Sequence, residues 1–243
     1  MRSAAGWAAV AAVGEHRADP LDKELERRGH AFARYADDFI IMVKSARAAQ
    51  RVMASVVRYV ERRLKLVVNQ AKSRTAPLRA CAFLGFQLGA RGKAEWTAQA
   101  LERFKRRVKE ITSRSRGHRV QFVIDELRRY ATGWMNYFGI SHTYKVVLEL
   151  DKWVRRRVRL YYWKAWKSPR TRRRHLLALG INPEEVRMAS RSRKGYWRMS
   201  GNGLVQRALS KRWLEEQGVP ELRSLWIGLH YGEGHAAPAA SLS

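Results

Sequence analysis

Arg34-Tyr35-Ala36-Asp37-Asp38-Phe39, continued by Ile40-Ile41-Met42-Val43, is the stretch that decides the fold of this chain. Phe32 before it and the apolar, β-branched run after it read as the two strands of a hairpin, with Tyr35-Ala36-Asp37-Asp38 set between them. That places adjacent carboxylates at the tip of a β-hairpin. Inside a strand, successive side chains face opposite ways, whereas a turn lets Asp37 and Asp38 swing toward one cation. Hard divalent ions such as Mg²⁺ take such oxygen ligands, and paired carboxylates of this kind hold the metals of phosphoryl-transfer sites. An Asx-type turn that uses Asp for its geometry alone fits Tyr35-Ala36-Asp37-Asp38 equally well.

Working outward, Ser45 is placed to cap a helix that runs to Leu64, with Val52, Val56, Val60 and Leu64 on one face. Lys65 to Val68 reads as a short strand and Asn69 to Pro77 as a loop. Phe83 to Leu88 reads as a second hairpin ending at Gly89 and Gly92. Thr97 is read as the cap of a helix carrying Leu101, Phe104, Val108 and Ile111. A second helix carries Val123, Leu127, Tyr130 and Trp134 to Phe138. A third, from Thr143, buries Val147, Leu150, Val154, Val158 and Tyr161. Residues 112–119 form a basic loop between helices. Beyond Ser168-Pro169, Thr171 to Leu179 reads as a helix closed by Gly180, and one amphipathic helix is expected from Val205 to Leu214.

Charge points to a polyanionic partner independently of the hairpin. The 243 residues hold 49 Lys+Arg against 21 Asp+Glu, a net charge of +28 and a pI near 11.2. So lopsided a chain repels itself on folding and attracts phosphates strongly at low salt. The excess concentrates between residues 101 and 175, with 22 basic side chains and 6 acidic ones. Arg155, Arg156, Arg157, Arg159, Lys164, Lys167, Arg172, Arg173 and Arg174 are the candidate RNA contacts. They interleave with Trp153, Tyr161, Tyr162, Trp163 and Trp166, about half of which helical spacing assigns to the core. Guanidinium groups pair with phosphates and aromatic faces stack on unpaired bases. The lone Cys81 excludes an internal disulfide, the scattered His30, His118, His142 and His175 do not form a zinc pattern, and no apolar run reaches a membrane-spanning length. Ser3 to Val13 is Ala-rich but lacks the cleavage site of a secretory signal. A cytoplasmic, nucleoid-associated location is expected.

Four signals in order resemble the second half of a group II intron reverse transcriptase with its maturase domain. From Leu21 to His30 the chain looks like the helix leading into the catalytic hairpin, and Arg34 to Phe39 like the polymerase signature. Asn69-Gln70-Ala71-Lys72-Ser73 is similar to the Asn-x-x-Lys element, and Phe83-Leu84-Gly85-Phe86 to the primer-grip hairpin. Gly133-Trp134-Met135-Asn136-Tyr137-Phe138-Gly139, with Leu150 to Arg156, resembles the maturase-specific region. The resemblance runs to about Tyr231. It implies an α+β chain: a partial polymerase palm of short antiparallel hairpins and one helix, then an all-α thumb and maturase bundle. The expected divisions are an atypical segment 1–18, the partial palm 19–92, the thumb and maturase domain 93–180, and a basic extension 181–243 with a helix and a flexible tail.

By the same resemblance, Asp37 and Asp38 are catalytic metal ligands for Mg²⁺ and Lys72 faces the nucleotide phosphates. Phe83, Leu84, Gly85 and Phe86 then pack under the primer end. An ordinary surface lysine and a plain hairpin core are the bland accounts of these two elements. The expected partner is structured intron RNA, with a DNA target and a primer as further partners in the family. A further metal-binding carboxylate and the fingers belong upstream of the hairpin, where only 34 residues precede Tyr35, and Asp22, Glu24 and Glu26 read as a solvated helix face. The expectation is therefore a truncated reverse transcriptase and maturase that binds intron RNA and, in the intact family, promotes splicing and reverse transcription. Two alternatives stay open: an RNA-directed DNA polymerase completed by an upstream part, and a degenerate remnant binding any nucleic acid. No nuclease motif follows the maturase-like region, so no DNA endonuclease activity is expected.

Overall fold

The computed structural model describes residues 6–12, 19–89 and 92–232. The chain is mixed α/β, with small antiparallel sheets followed by a helical part, and it divides into two compact units, 1–97 and 98–243.

In the first unit, strands β1 (Trp7–Ala12), β2 (Ala31–Tyr35), β3 (Asp38–Val43) and β4 (Arg74–Pro77) form a sheet of order β2-β3-β1-β4. Each neighbouring pair is antiparallel. Strand β3 is apolar on both faces because both are covered. Phe39 and Ile41 pack with Leu21 and Leu25 of helix α1 (Asp19–Arg27) and with Val56 and Val60. Ile40, pointing the other way, packs with Ala8 and Cys81. Helix α2 (Ala46–Tyr59) starts where expected, with the Ser45 hydroxyl accepting from the Ala48 N–H at 3.2 Å, and continues as one π-helical turn through Leu64. A three-stranded sheet follows, made of β5 (Ala82–Phe83), β6 (Phe86–Leu88) and β7 (Ala94–Trp96). Its first turn holds Leu84 and Gly85 at φ 53° and 84°, the left-handed pair of a two-residue hairpin.

Two local expectations are corrected, and one strand went unread in the sequence. Trp7–Ala12 is a central strand, paired on both sides, although its alanines gave no strand signal. Lys65 to Val68 is not a strand: Lys65 adopts φ 58° and closes the π-helical turn, and Val68 forms only an isolated bridge. Of the supposed loop Asn69 to Pro77, the last four residues are edge strand β4, where a proline is tolerated.

The second unit is helical. Helices α3 (Ala98–Ile111), α4 (Val120–Phe138) and α5 (Tyr144–Ala165) fall on the expected segments. Phe104 lies 4.6 Å, ring centre to ring centre, from Trp134 and 5.5 Å from Tyr130, joining α3 to α4. Helix α5 is the axis of the unit, with its predicted stripe of Val147, Leu150, Val154, Val158 and Tyr161 buried. Helix α6 (Pro169–Ala178) begins two residues earlier than expected, because Ser168 caps it and Pro169 occupies the first turn, where its missing N–H costs nothing.

Residues 183–231 form five more helices: α7 (Pro183–Ser190), α8 (Tyr196–Ser200), α9 (Gly203–Ala208), α10 (Lys211–Glu216) and α11 (Leu222–Tyr231). The single helix expected over Val205 to Leu214 is thus two. Ser210 turns extended and its hydroxyl caps α10 by accepting from the Trp213 N–H, which frees the buried Leu209 carbonyl to accept from Arg159 Nε at 2.9 Å. Helix α11 is fastened to the bundle: the Leu222 N–H donates to Asp151, Trp226 Nε1 donates to the Ser141 carbonyl, and His230 bonds the Gly139 carbonyl.

Candidate nucleic-acid interface

The backbone fixes where the hairpin residues sit. Ala36 takes φ 52°, and Arg34 braces the turn by donating to the Ala36 carbonyl at 3.0 Å and to the Asp22 carboxylate at 2.7 Å. Asp37 is half-buried and Asp38, opening β3 opposite Tyr35, is exposed. Sheet register sets Asp38 beside Ala12 at the end of β1, and Arg74 beside Val10. Lys72, two residues before Arg74, therefore lies at the same end of the sheet as the two aspartates, with one strand between, roughly 10 Å of sheet width. It is exposed in a turn held by Asn69, whose side-chain oxygen accepts from the Lys72 N–H at 3.2 Å. Among the described residues no group of three His, Cys, Asp or Glu side chains is arranged to hold a metal. Asp37 and Asp38 are adjacent carboxylates at the end of the hairpin, the oxygen chemistry that hard divalent cations accept.

Of the primer-grip-like residues, Phe83 packs on the cluster of Ala8, Ile40 and Cys81, and Leu84 and Gly85 form the turn to Phe86. Burial raises the Cys81 thiol above its ordinary value. Glu24 is drawn down to about 2 by hydrogen bonds from Arg27 and Arg28, so its charge is held locally.

The nine basic candidates of the second unit separate into two groups. Arg157 and Arg172 are spent on the fold. Arg157 donates to the Thr112 hydroxyl at 2.9 Å, and burial lowers its pKa; Arg172 is buried, donates to the Trp166 carbonyl at 3.0 Å and lies over Trp163. Lys167, Arg173 and Arg174 are exposed, and Lys164 lies over the Tyr196 ring. Arg155, Arg156 and Arg159 point from α5 into a half-open cavity of about 580 Å³, where Lys152, Arg198 and Lys211 join them. All six charged side chains lining it are cationic. Arg155 is paired with the buried Asp151, Lys152 with Glu149, and Lys211 with Glu215 and Glu221. Arg156, Arg159 and Arg198 have no carboxylate partner among the described residues. Burial, with Arg155 adding repulsion, pulls Arg159 down to about 10, still charged at neutral pH.

The aromatic expectation is shifted by the structure. Tyr161, Tyr162, Trp163 and Trp166 are buried and Trp153 is half-buried, so the rings of α5 build the core. Burial pushes the Tyr162 hydroxyl up to about 12. The exposed rings beside the cations are Tyr196 and Trp197 of α8, with the Arg156 guanidinium 4.0 Å from the Trp197 ring centre. Sequence reasoning missed these two, together with Lys152, Arg198 and Lys211. The available signal for Tyr196, Trp197 and Arg198 was the basic and aromatic run Arg191 to Arg198.

Residues 101–180 match the group II intron, maturase-specific domain. The match is confined to these 80 residues, which resemble a C-terminal maturase region. No curated protein matches the chain. The matched span covers α3 to α6 and ends at Gly180, whose φ of 76° closes the turn after α6. Among the described residues no helix is long and apolar enough to cross a membrane.

Proposed function

We propose that this chain is a group II intron maturase that binds structured intron RNA and promotes its splicing. The observation that carries this reading is the maturase-specific domain over residues 101–180, which coincides with the most basic part of the chain. A protein that binds the active fold of an RNA better than its competitors shifts the population toward that fold. The exposed Lys167, Arg173 and Arg174, with the cationic cavity on α5, supply the phosphate contacts of this reading. The test is equilibrium binding of a group II intron RNA and of an unrelated structured RNA of equal length, at rising salt. Preference for the intron RNA that persists as salt rises is the expected result. Equal affinities that fall together with a steep slope would reduce the chain to an electrostatic binder.

A second reading, RNA-directed DNA polymerization by a longer assembly, is favoured by the hairpin. In it the first unit is part of a polymerase palm, and Asp37 and Asp38 would hold Mg²⁺, which supplies charge neutralisation at a transferring phosphoryl group. Lys72 shares their end of the sheet and would face the nucleotide. Phe83 to Phe86 would support the primer. Primer extension on an RNA template, with Asp37→Asn/Asp38→Asn as the control, decides it. Incorporation lost in the double variant would establish a working metal site, and no incorporation by folded protein would mean that this chain does not polymerize without the rest of the assembly.

A further inference from the structure

The cationic cavity is built from two parts of the chain with different standing. Arg155, Arg156 and Arg159 come from α5, inside the maturase-specific match, whereas Arg198, Gly201 and Lys211 come from α8 to α10, beyond its end at residue 180. The two sides are fitted to each other. Arg156 donates to the Trp197 carbonyl at 3.1 Å and sits over that residue's ring, 4.0 Å from its centre, and a side chain at position 201 would come within 3.1 Å of its guanidinium. Arg159 donates to the Leu209 carbonyl. Anchored in this way, the arginines keep further N–H groups for the cavity, and the buried Arg156 Nε has no hydrogen-bond partner.

Holding guanidinium groups together without carboxylates is unfavourable unless an anion completes the site. Planar guanidinium forks match phosphate oxygens bidentately, and a lining without acidic side chains does not repel them. The cavity, about 580 Å³, is large enough for a nucleotide unit. We propose that this cavity is a preformed pocket for a backbone phosphate of the bound RNA, gripped by Arg156, Arg159 and Arg198, with Trp197 holding Arg156 in place. The pocket rests on the RNA-binding reading and deepens it: helices after the matched domain complete a phosphate site begun on α5.

The experiment has two arms, run on the full chain. In the first, inorganic tripolyphosphate is added and thermal unfolding is compared with sodium chloride at equal ionic strength. Wild-type protein should gain roughly 5 °C at saturating probe, and Arg156→Gln/Arg198→Gln should lose that gain. Arg103→Gln/Arg106→Gln, on the exposed face of α3, removes equal charge and should keep it. In the second arm, the cavity variant should bind intron RNA roughly tenfold more weakly and with a salt slope lower by about 1. Arg198→Gln alone, at the exposed lip, should show the same direction without disturbing the fold. Lost protection with unchanged RNA affinity would assign the pocket to a free polyphosphate and overturn the RNA source. Cavity and control variants behaving alike in both arms would overturn the pocket itself. If wild-type protein fails to bind RNA while protection still depends on Arg156 and Arg198, the RNA-binding reading falls and the anion chemistry of the cavity stands.

Discussion

Asp151 is the one buried carboxylate on α5, and it ties that helix to a segment 71 residues later. Its carboxylate is paired with Arg155 and accepts from the Leu222 N–H at 2.9 Å. Burial raises its pKa above the ordinary 3.8, against the opposing pull of Arg155 and the Leu222 N–H. A group raised in the folded state stabilises most fully below its unfolded pKa, and that contribution is lost as pH rises through the folded value. Asp151→Asn keeps an acceptor for Leu222 and should flatten this decline in a plot of denaturant midpoint against pH. Asp151→Ala leaves Arg155 without its counter-charge and the Leu222 N–H without an acceptor, and should cost about 3–5 kcal/mol by chemical denaturation. The spacing of Asp151 and Arg155 was readable from the sequence, as was the basic character of the neighbourhood. That Leu222 would close the site was not, because a backbone N–H has no sequence signature. For the same reason Arg157 and Arg172 read as free cations: their partners are a distant hydroxyl and a carbonyl.

Elements with strong periodicity were legible, and those made by their neighbours were not. The stripes of α2, α3, α4 and α5 declared themselves because their apolar residues recur every three or four positions and each helix has a buried face to fill. Strand β1 shows the opposite case. Alanine has low strand preference, so Trp7–Ala12 is a strand only because β3 and β4 present unpaired edges to it. Ala8 and Ala9 are almost fully buried, on opposite faces of the sheet. Alternation puts Ala9 on the face of its partner Ile41, the side covered by α2. Ala9→Leu should therefore overpack that layer and destabilise the first unit by about 1–3 kcal/mol. Hydrogen exchange measured by mass spectrometry checks this: amides of β3 should exchange faster while those of α4 are unchanged. Unaltered protection in β3 would mean that the strand is dispensable. Helix α11 was missed because Arg223 is its one Lys, Arg, Asp or Glu in an otherwise largely apolar stretch, which leaves little periodicity, and α9 and α10 were merged because Ser210 reads equally as a helix residue and as a cap.

For the whole molecule, the division into two compact units separates the two functional readings physically. The hairpin aspartates and Lys72 belong to residues 1–97, whereas the matched domain, the exposed arginines of α6 and the cationic cavity belong to residues 98–243. Charge divides in the same way. The second unit has 31 basic side chains against 12 acidic ones, the first 18 against 9. Since affinity for a polyanion follows the number of phosphates neutralised, most RNA-binding free energy should reside in the second unit. That unit has its own core, running from Phe104 and Trp134 through α5 to Trp226, so it has the apolar interior needed to fold independently. A fragment of residues 98–243 is expected to melt cooperatively and to bind intron RNA within roughly threefold of the full chain at about 0.2 M salt. Residues 1–97 alone should bind far more weakly and lose discrimination between RNAs. Filter binding of both fragments and the full chain against one intron RNA measures this directly. If the second unit were folded but bound a hundredfold more weakly than the full chain, recognition would have to be shared with the unit that carries the hairpin, and the maturase reading would need both.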